Sequence, residues 1–224
     1  MVHVIHRIER VSSELIDQYR GLSSATVHEA AGKRGALSHR IKPIAPSMRV
    51  CGPAVTVKLR PGDNLMLHKA IYVAQPGDVI VADADGYVEA GAWGEITTLA
   101  AQLRGIAGLV FNGAVRDADP IIEMGFPIFC CGLSIKGTEK ISLGWINHSL
   151  NFDNVTIDPG DLVLGDRDGV VIVKRKEAAE ILPKARARDE KENGFKESLR
   201  KGKTTLELLG LEAVLKTQGL TEET

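Results

Sequence analysis

The stretch GDVIVADADGYVEAGAWGEITTLAAQLRGIAGLVFNGAVRDADPIIEMGFPIFCCGLS, residues 77–134, decides the fold. GDVIVADA predicts a strand, Gly94 to Leu103 a helix, GLVFNGA a second strand, PIIEMG a short helix and FPIFCCGLS a third strand. Apolar strand runs that alternate with short helical segments build βαβ units, which means a parallel sheet covered by helices. The class is therefore α/β.

Working outward, Ser12 and either Ser23 or Ser24 are candidate N-caps for helices over 12–20 and 23–32, with Gly32 as the stop. VCGPAVTVKL, from residue 50, is rich in β-branched residues and predicts a strand. PGDNLMLHKAIYVA then opens with a turn and continues as an amphipathic helix. On the far side, NVTIDPGDLVLGDRDGVVIV reads as short strands joined by Pro-Gly-Asp and Arg-Asp-Gly turns. From Arg175 the chain is charged, alternating in sign and helical, and Pro183 predicts a kink or a late helix start. The simplest division is a domain over 1–174 and a helical arm over 175–224 that packs on the same or a neighbouring subunit.

With 224 residues, 44% hydrophobic and 25% charged, the chain has ordinary globular composition and can bury one good core. A net charge of −1 gives no general attraction to nucleic acid or to an anionic membrane, so the pull on any anionic ligand must be local. No segment has the roughly 20 apolar residues of a membrane span, and a cytoplasmic protein is expected. Cys51, Cys130 and Cys131 suggest buried structural thiols: the last two are adjacent in an apolar run, and neighbouring cysteines seldom bridge.

The strongest chemical signal is GLVFNGAVRDAD, residues 108–119, where a buried strand, GLVF, ends at Asn112-Gly113 and a charged pair follows at Arg116 and Asp117. Ligands in α/β sheets bind beyond the carboxyl ends of strands. Arginine offers a planar fork for a carboxylate, and aspartate a hard oxygen for magnesium or manganese. A loop ion pair or a helix cap would use the same two residues. The second signal is the turn Gly91-Ala92-Trp93-Gly94-Glu95-Ile96-Thr97-Thr98, one βα unit earlier. Free amides at a helix start favour anions, and the two turns are expected to wall one crevice. An ordinary loop, with Glu95 complementing the helix dipole, is the plainer reading. His28, Glu29 and His68 sit on predicted helices with no zinc-type spacing, and neither a serine-hydrolase elbow nor a Schiff-base lysine stands out.

These residues resemble the RraA-like family, and most closely its class II aldolases for 4-hydroxy-4-methyl-2-oxoglutarate and 4-carboxy-4-hydroxy-2-oxoadipate, which also decarboxylate oxaloacetate. The segments that carry the resemblance are ATVHEAAG at 25–32, PGDNLMLHKAI at 61–71, RGIAGLVFNGAVRD at 104–117, MGFPIF at 124–129, DPGDLVLGDRDGVVIV at 158–173 and KEAAEILPKARAR at 176–188. The resemblance implies a swivelling β/β/α domain, assembly as a homotrimer or homohexamer with sites at subunit interfaces, and a divalent metal, Mg2+ or Mn2+. It implies that the Gly94, Glu95, Ile96 and Thr97 turn holds the carboxylate of a small 2-oxo acid, that Arg116 contacts its 2-oxo group, and that Asp117 serves the metal. It assigns Glu192, in the arm, to the metal site of a neighbouring subunit. Glu95 stands where the nearest aldolases are expected to carry aspartate, and its carboxylate, or that of Glu192, would position the water that moves protons. The implied activity is cleavage of 4-hydroxy-2-oxo acids to pyruvate and a second carbonyl compound through a metal-stabilised enolate, with decarboxylation of oxaloacetate at the same site. The alternative that the family offers is a protein inhibitor of a ribonuclease. A methyltransferase reading finds no glycine-rich cofactor loop to support it.

Overall fold

The computed structural model describes residues 2–152 and 154–223. Two helices open the chain, α1 (Ser13–Tyr19) and α2 (Ser24–Ala30). They are followed by β1 (Lys42–Pro43), β2 (Val50–Lys58), α3 (Leu65–Ile71), β3 (Val79–Trp93), α4 (Glu95–Leu103), β4 (Gly108–Val115), α5 (Ala118–Met124) and β5 (Ile128–Leu133). Five short strands come next: β6 (Trp145–Ile146), β7 (Leu150–Phe152), β8 (Val155–Ile157), β9 (Leu162–Asp166) and β10 (Gly169–Val173). The chain ends in α6 (Ala178–Arg200), α7 (Thr205–Leu209) and α8 (Leu211–Thr217).

The main sheet runs β1-β5-β4-β3-β2-β9-β10. Its centre, β2 to β5, is parallel, and β1, β6 and β9 add antiparallel edges. Each central strand sends alternate side chains to opposite faces, as strand geometry requires. Val57, Ile80, Phe111 and Ile128 meet α3, α4 and α5 through Leu67, Ala101 and Ile121. Val81, Val110 and Phe129 face the other way, onto Ile41, Phe152 and Ile172. Burial on both faces explains why these strands read as unbroken apolar runs.

Serine caps start the first two helices as the sequence predicts. Ser12 Oγ accepts from Leu15 N–H, and Ser23 Oγ from Thr26 N–H. Gly32 ends α2 with a φ of +73°. The largest difference from prediction is in β3, while β4 runs on to Val115 and the arm divides into α6, α7 and α8. β3 does not stop near Ala84 but runs on to Trp93, through left-handed Asp85 and Gly86 and three register shifts against β4. Gly91 and Trp93 are thus strand residues paired with Ala114 and Val115, and the turn itself is reduced to Gly94.

Two compact units divide the chain, Met1–Ala185 and Arg186–Thr224. The first turns of α6 belong to the larger unit because Ala178, Ile181, Leu182 and Ala185 are buried, and Tyr19 Oη donates to the Ala178 carbonyl at 2.7 Å. Pro183 lies inside α6, five residues after its first residue, Ala178, so the helix does not start late. In the smaller unit α7 and α8 bury no residue. No helix among the described residues is long and apolar enough to cross a membrane.

Candidate active site

The strand end at Val115 places Arg116 by a backbone hydrogen bond, Arg116 N–H to Trp93 O at 2.8 Å. Trp93 is a firm anchor. Its ring is buried against Phe126, and its indole N–H donates to Thr98 Oγ at 2.7 Å. Asn64, also buried, donates to Ala92 O at 2.9 Å and ties the end of β3 to the start of α3. The site thus rests on the sheet through backbone bonds.

Asp117 adopts the left-handed conformation, φ 56° and ψ 45°. Aspartate tolerates this region better than most residues, and non-glycine residues held there concentrate at functional turns. It occupies the N-cap position of α5 yet makes no capping bond to that helix. Its carboxylate reaches across to α4, where Oδ2 accepts from Glu95 N–H at 3.1 Å. Arg116 Nε lies 3.5 Å from the same oxygen. The two turns therefore touch each other directly.

The glycines explain that closeness. A Cβ on Gly94 would stand 2.5 Å from Asp117 Oδ2 and 3.1 Å from Arg116 Cγ. A Cβ on Gly91 would stand 2.8 Å from Arg116 Cβ and 2.3 Å from the Ser134 carbonyl. Gly94 thus makes room for both Asp117 and Arg116, and Gly91 for Arg116.

A cavity of about 370 Å³ opens beside the pair, lined by Arg116, Asp117, Ala118, Leu133, Ser134 and Ile135. Its second wall is the end of β5, whose apolar run gave no sign of it in the sequence. Of the other predicted residues, Gly94, Glu95, Ile96 and Thr97 form the start of α4, with Thr97 Oγ accepting from Gly94 N–H at 2.9 Å. The first amides of a helix lack intrahelical acceptors, and here Asp117 takes that of Glu95. Glu192 belongs to the smaller unit and pairs there with Arg188 at 3.0 Å.

Asp117 Oδ1 makes no hydrogen bond with a described residue, and the side chain is 40% exposed. An open carboxylate oxygen at a cavity mouth suits a hard divalent cation that takes its remaining ligands from water and substrate. Among the described residues no three His, Cys, Asp or Glu side chains converge as a metal cage, so the protein's share of such a site is small. Of the three cysteines expected to be buried, Cys130 is buried and Cys51 and Cys131 are partly so; burial pushes the Cys51 thiol up to about 12 and the Cys130 thiol up to about 11, which leaves those two unsuited to nucleophilic chemistry.

Residues 13–172 match the RraA-like family, described as Aldolase/RraA. A protein of Halalkalibacterium halodurans named "Putative 4-hydroxy-4-methyl-2-oxoglutarate aldolase" is 39% identical over 173 residues, 77% of this chain and 82% of its own. The crystal structure of an uncharacterized protein from Pseudomonas syringae pv. tomato superposes with a TM-score of 0.80 at 30% identity, covering 90% of this chain and 99% of that one. That of Streptomyces coelicolor RraAS2, described as an unusual member of the RNase ES inhibitor RraA protein family, gives 0.76 at 30% identity over 85% and 99%. The mixed sheet, its helical cover and the match over most of the body all agree, and the chain belongs to the RraA-like family.

Proposed function

We propose that this protein is a divalent-metal-dependent carbon–carbon lyase, a class II pyruvate aldolase that also decarboxylates oxaloacetate. The observation that carries the reading is the Arg116–Asp117 pair. It is braced by backbone at a strand end, set against a helix start and open to a cavity of about 370 Å³. The aldolase name of the Halalkalibacterium relative supports the same reading.

Asp117 would hold the metal, Mg2+ or Mn2+, through its open oxygen. When bound, the metal supplies Lewis-acid polarisation of the 2-oxo acid. The remaining steps fall to the chain itself. The Ile96 and Thr97 amides, aligned with the positive end of the α4 dipole, hold the substrate carboxylate. The Arg116 guanidinium donates to the 2-oxo oxygen as negative charge develops there, which is where a preorganised donor accelerates most. Glu95, on the turn beside Asp117, positions a water that takes the proton from the C4 hydroxyl and later returns one to C3. Cleavage of an aldol or loss of carbon dioxide leaves the same pyruvate enolate, so one site serves both reactions.

In solution we propose a homotrimer or homohexamer. Ile96, Leu99 and Leu103 recur at helical spacing along α4, and all three are exposed. Such a stripe suits an interface between subunits. Glu192 of a neighbouring copy is the second proposed metal carboxylate. A second reading, a protein inhibitor of a ribonuclease, draws on the likeness to RraAS2.

The test is a coupled assay for pyruvate release, run on 4-hydroxy-2-oxo acids and oxaloacetate with EDTA and with Mg2+ or Mn2+. Release that is lost in EDTA and restored by the metal is expected. Full activity in excess EDTA contradicts the metal, and absence of release from every compound contradicts the lyase.

A further inference from the structure

The Arg116–Asp117 pair uses the carboxyl end of β4, and a second cavity, of about 350 Å³, opens at the amino ends of the same parallel strands. Six residues line it: Arg20, Arg49, Val50, Cys51, Ala107 and Leu164. Val50 opens β2, Ala107 directly precedes β4, and Leu164 lies on the neighbouring β9. We propose that this cavity is a second binding site, for a small phosphate monoester with an apolar body. Such a site stands whether or not the lyase reading holds.

The lining is positively charged: it holds two arginines and no carboxylate, in a chain whose net charge is −1. Neither guanidinium is used up by the protein. Arg49 donates through Nη2 to the Leu22 carbonyl at 3.0 Å, one of the five donors that an arginine carries. Asp166 stands 4.0 Å from Arg49, and its oxygens are already engaged by Ser24 and Asp168. Arg20 pairs with Asp17 one helical turn away at 3.3 Å, but both side chains are more than half exposed, and such pairs are worth little. The other four residues carry no charge. Val50 and Leu164 are buried in the core, and the Cys51 thiol, which donates to the Ile16 carbonyl at 3.6 Å, is kept protonated by its burial. The cavity therefore has a cationic rim over an apolar floor.

That combination selects the ligand. A guanidinium fork matches two phosphate oxygens at once. A phosphate monoester carries about two negative charges near neutral pH, one for each arginine, where a carboxylate carries one. An apolar ester group gains by leaving water for the Val50 and Leu164 floor. The volume is that of a small-molecule site, for which about 300 Å³ is the lower bound. β4 has eight residues, which at about 3.3 Å each separate this cavity from Arg116 by roughly 25 Å. One small ligand does not reach both, so a phosphate ester held here is not the molecule turned over at Arg116.

The experiment is calorimetric titration of the full-length protein with phenyl phosphate, at pH 7.5 and in EDTA. Arg116→Ala serves as the control that disables the other cavity. We expect saturable binding with the same Kd in wild type and Arg116→Ala. Arg20→Gln and Arg49→Gln should each weaken it by about tenfold or more, the worth of a hydrogen bond to a charged group, with circular dichroism unchanged. Benzoate keeps the ring without the dianion, and inorganic phosphate keeps the dianion without the ring. Each should bind about tenfold more weakly than phenyl phosphate. Absence of saturable binding to wild type overturns the site. Binding that is lost in Arg116→Ala, or that is indifferent to both Arg20→Gln and Arg49→Gln, puts the ligand elsewhere and overturns it as well. Benzoate bound as tightly as phenyl phosphate overturns the phosphate class.

Discussion

Asp117 and Asp166 both stand at the end of a strand, and they are used in opposite ways. Asp166 closes β9, with a side chain only 10% exposed. Its oxygens are fully engaged: Ser24 N–H at 2.8 Å and Ser24 Oγ at 2.6 Å from α2, and Asp168 N–H at 3.0 Å from its own turn. Arg49 stands 4.0 Å away. Burial alone would raise its pKa, but these bonds outweigh it and hold the carboxyl below its ordinary value. Asp117 has one oxygen braced by a single amide, the other open at a cavity, and a left-handed backbone. A carboxylate whose lone pairs are all engaged by the protein fastens structure. One held by half is available to chemistry. Both lie in Asp-rich turns of similar sequence, RDAD and DRDG, so residue type alone does not separate them.

The sharpest way to break this contrast is at Arg116, the neighbour of the open carboxylate. Arg116→Lys should cost about a hundred- to a thousandfold in turnover, nearly as much as Arg116→Ala. A guanidinium donates to carboxylate and enolate oxygen in one plane, while an ammonium is a point donor on a flexible stem. Circular dichroism should remain that of the wild type. Retention of more than about half of the turnover would make Arg116 a plain ion-pair partner of Asp117.

At the closed carboxylate the effect should fall on stability. Asp166→Ala strands the Ser24 and Asp168 donors in a buried turn, and should cost about 3 kcal/mol in urea unfolding. A loss below about 0.5 kcal/mol, the range of an ordinary surface change, would show that Asp166 fastens nothing. A smaller effect is expected at Gly94, where the contrast can be sharpened. Its backbone is extended, so Gly94→Ala should fold, but the new Cβ displaces the Asp117 carboxylate. Turnover should drop by about tenfold with the melting temperature nearly unchanged. Unchanged turnover would mean that Asp117 need not stand where it does.

The smallest effect is on acid stability. Asp63 resembles Asp166: burial raises its pKa, but hydrogen bonds from the Leu65, Ile141 and Ser142 amides more than reverse that. For a carboxyl lowered on folding, the stabilisation is complete above its unfolded value, near 3.8, and is lost as pH falls through the folded value. Urea midpoints should therefore be level from pH 7 to about 5 and decline below 4, with a shallower decline in Asp166→Asn. An identical decline in the variant would remove Asp166 from the acid response.

The sequence revealed the alternation of β and α from 77 to 134 because both faces of the central strands are buried and each connection carries its own helix signal. It also singled out Arg116 and Asp117, which the structure brings to the mouth of a cavity, since a charged pair soon after a buried strand is conspicuous. It concealed the extension of β3, because Asp85-Gly86 looks like a terminal turn and the continuation pairs only through bulges. It concealed the Leu133–Ile135 wall as well: FPIFCCGLS reads as core to its end, and only the packing of neighbours decides that Leu133 is exposed. The role of Asp166 depends on Ser24, 142 residues away, a distance that no local pattern spans.

Asp117→Asn and Asp166→Asn, measured side by side for thermal midpoint and for initial pyruvate release with Mg2+, test the central claim most directly. Both substitutions keep size and remove charge. The account predicts a crossed result. Asp117→Asn should lose about a hundredfold or more in release with its midpoint within about 2 °C of wild type, and Asp166→Asn should melt several degrees lower yet keep most of its release at 20 °C or so, where it is folded. If Asp117→Asn kept wild-type release, or if the two variants lost stability alike, the division between a working and a fastening carboxylate would be contradicted.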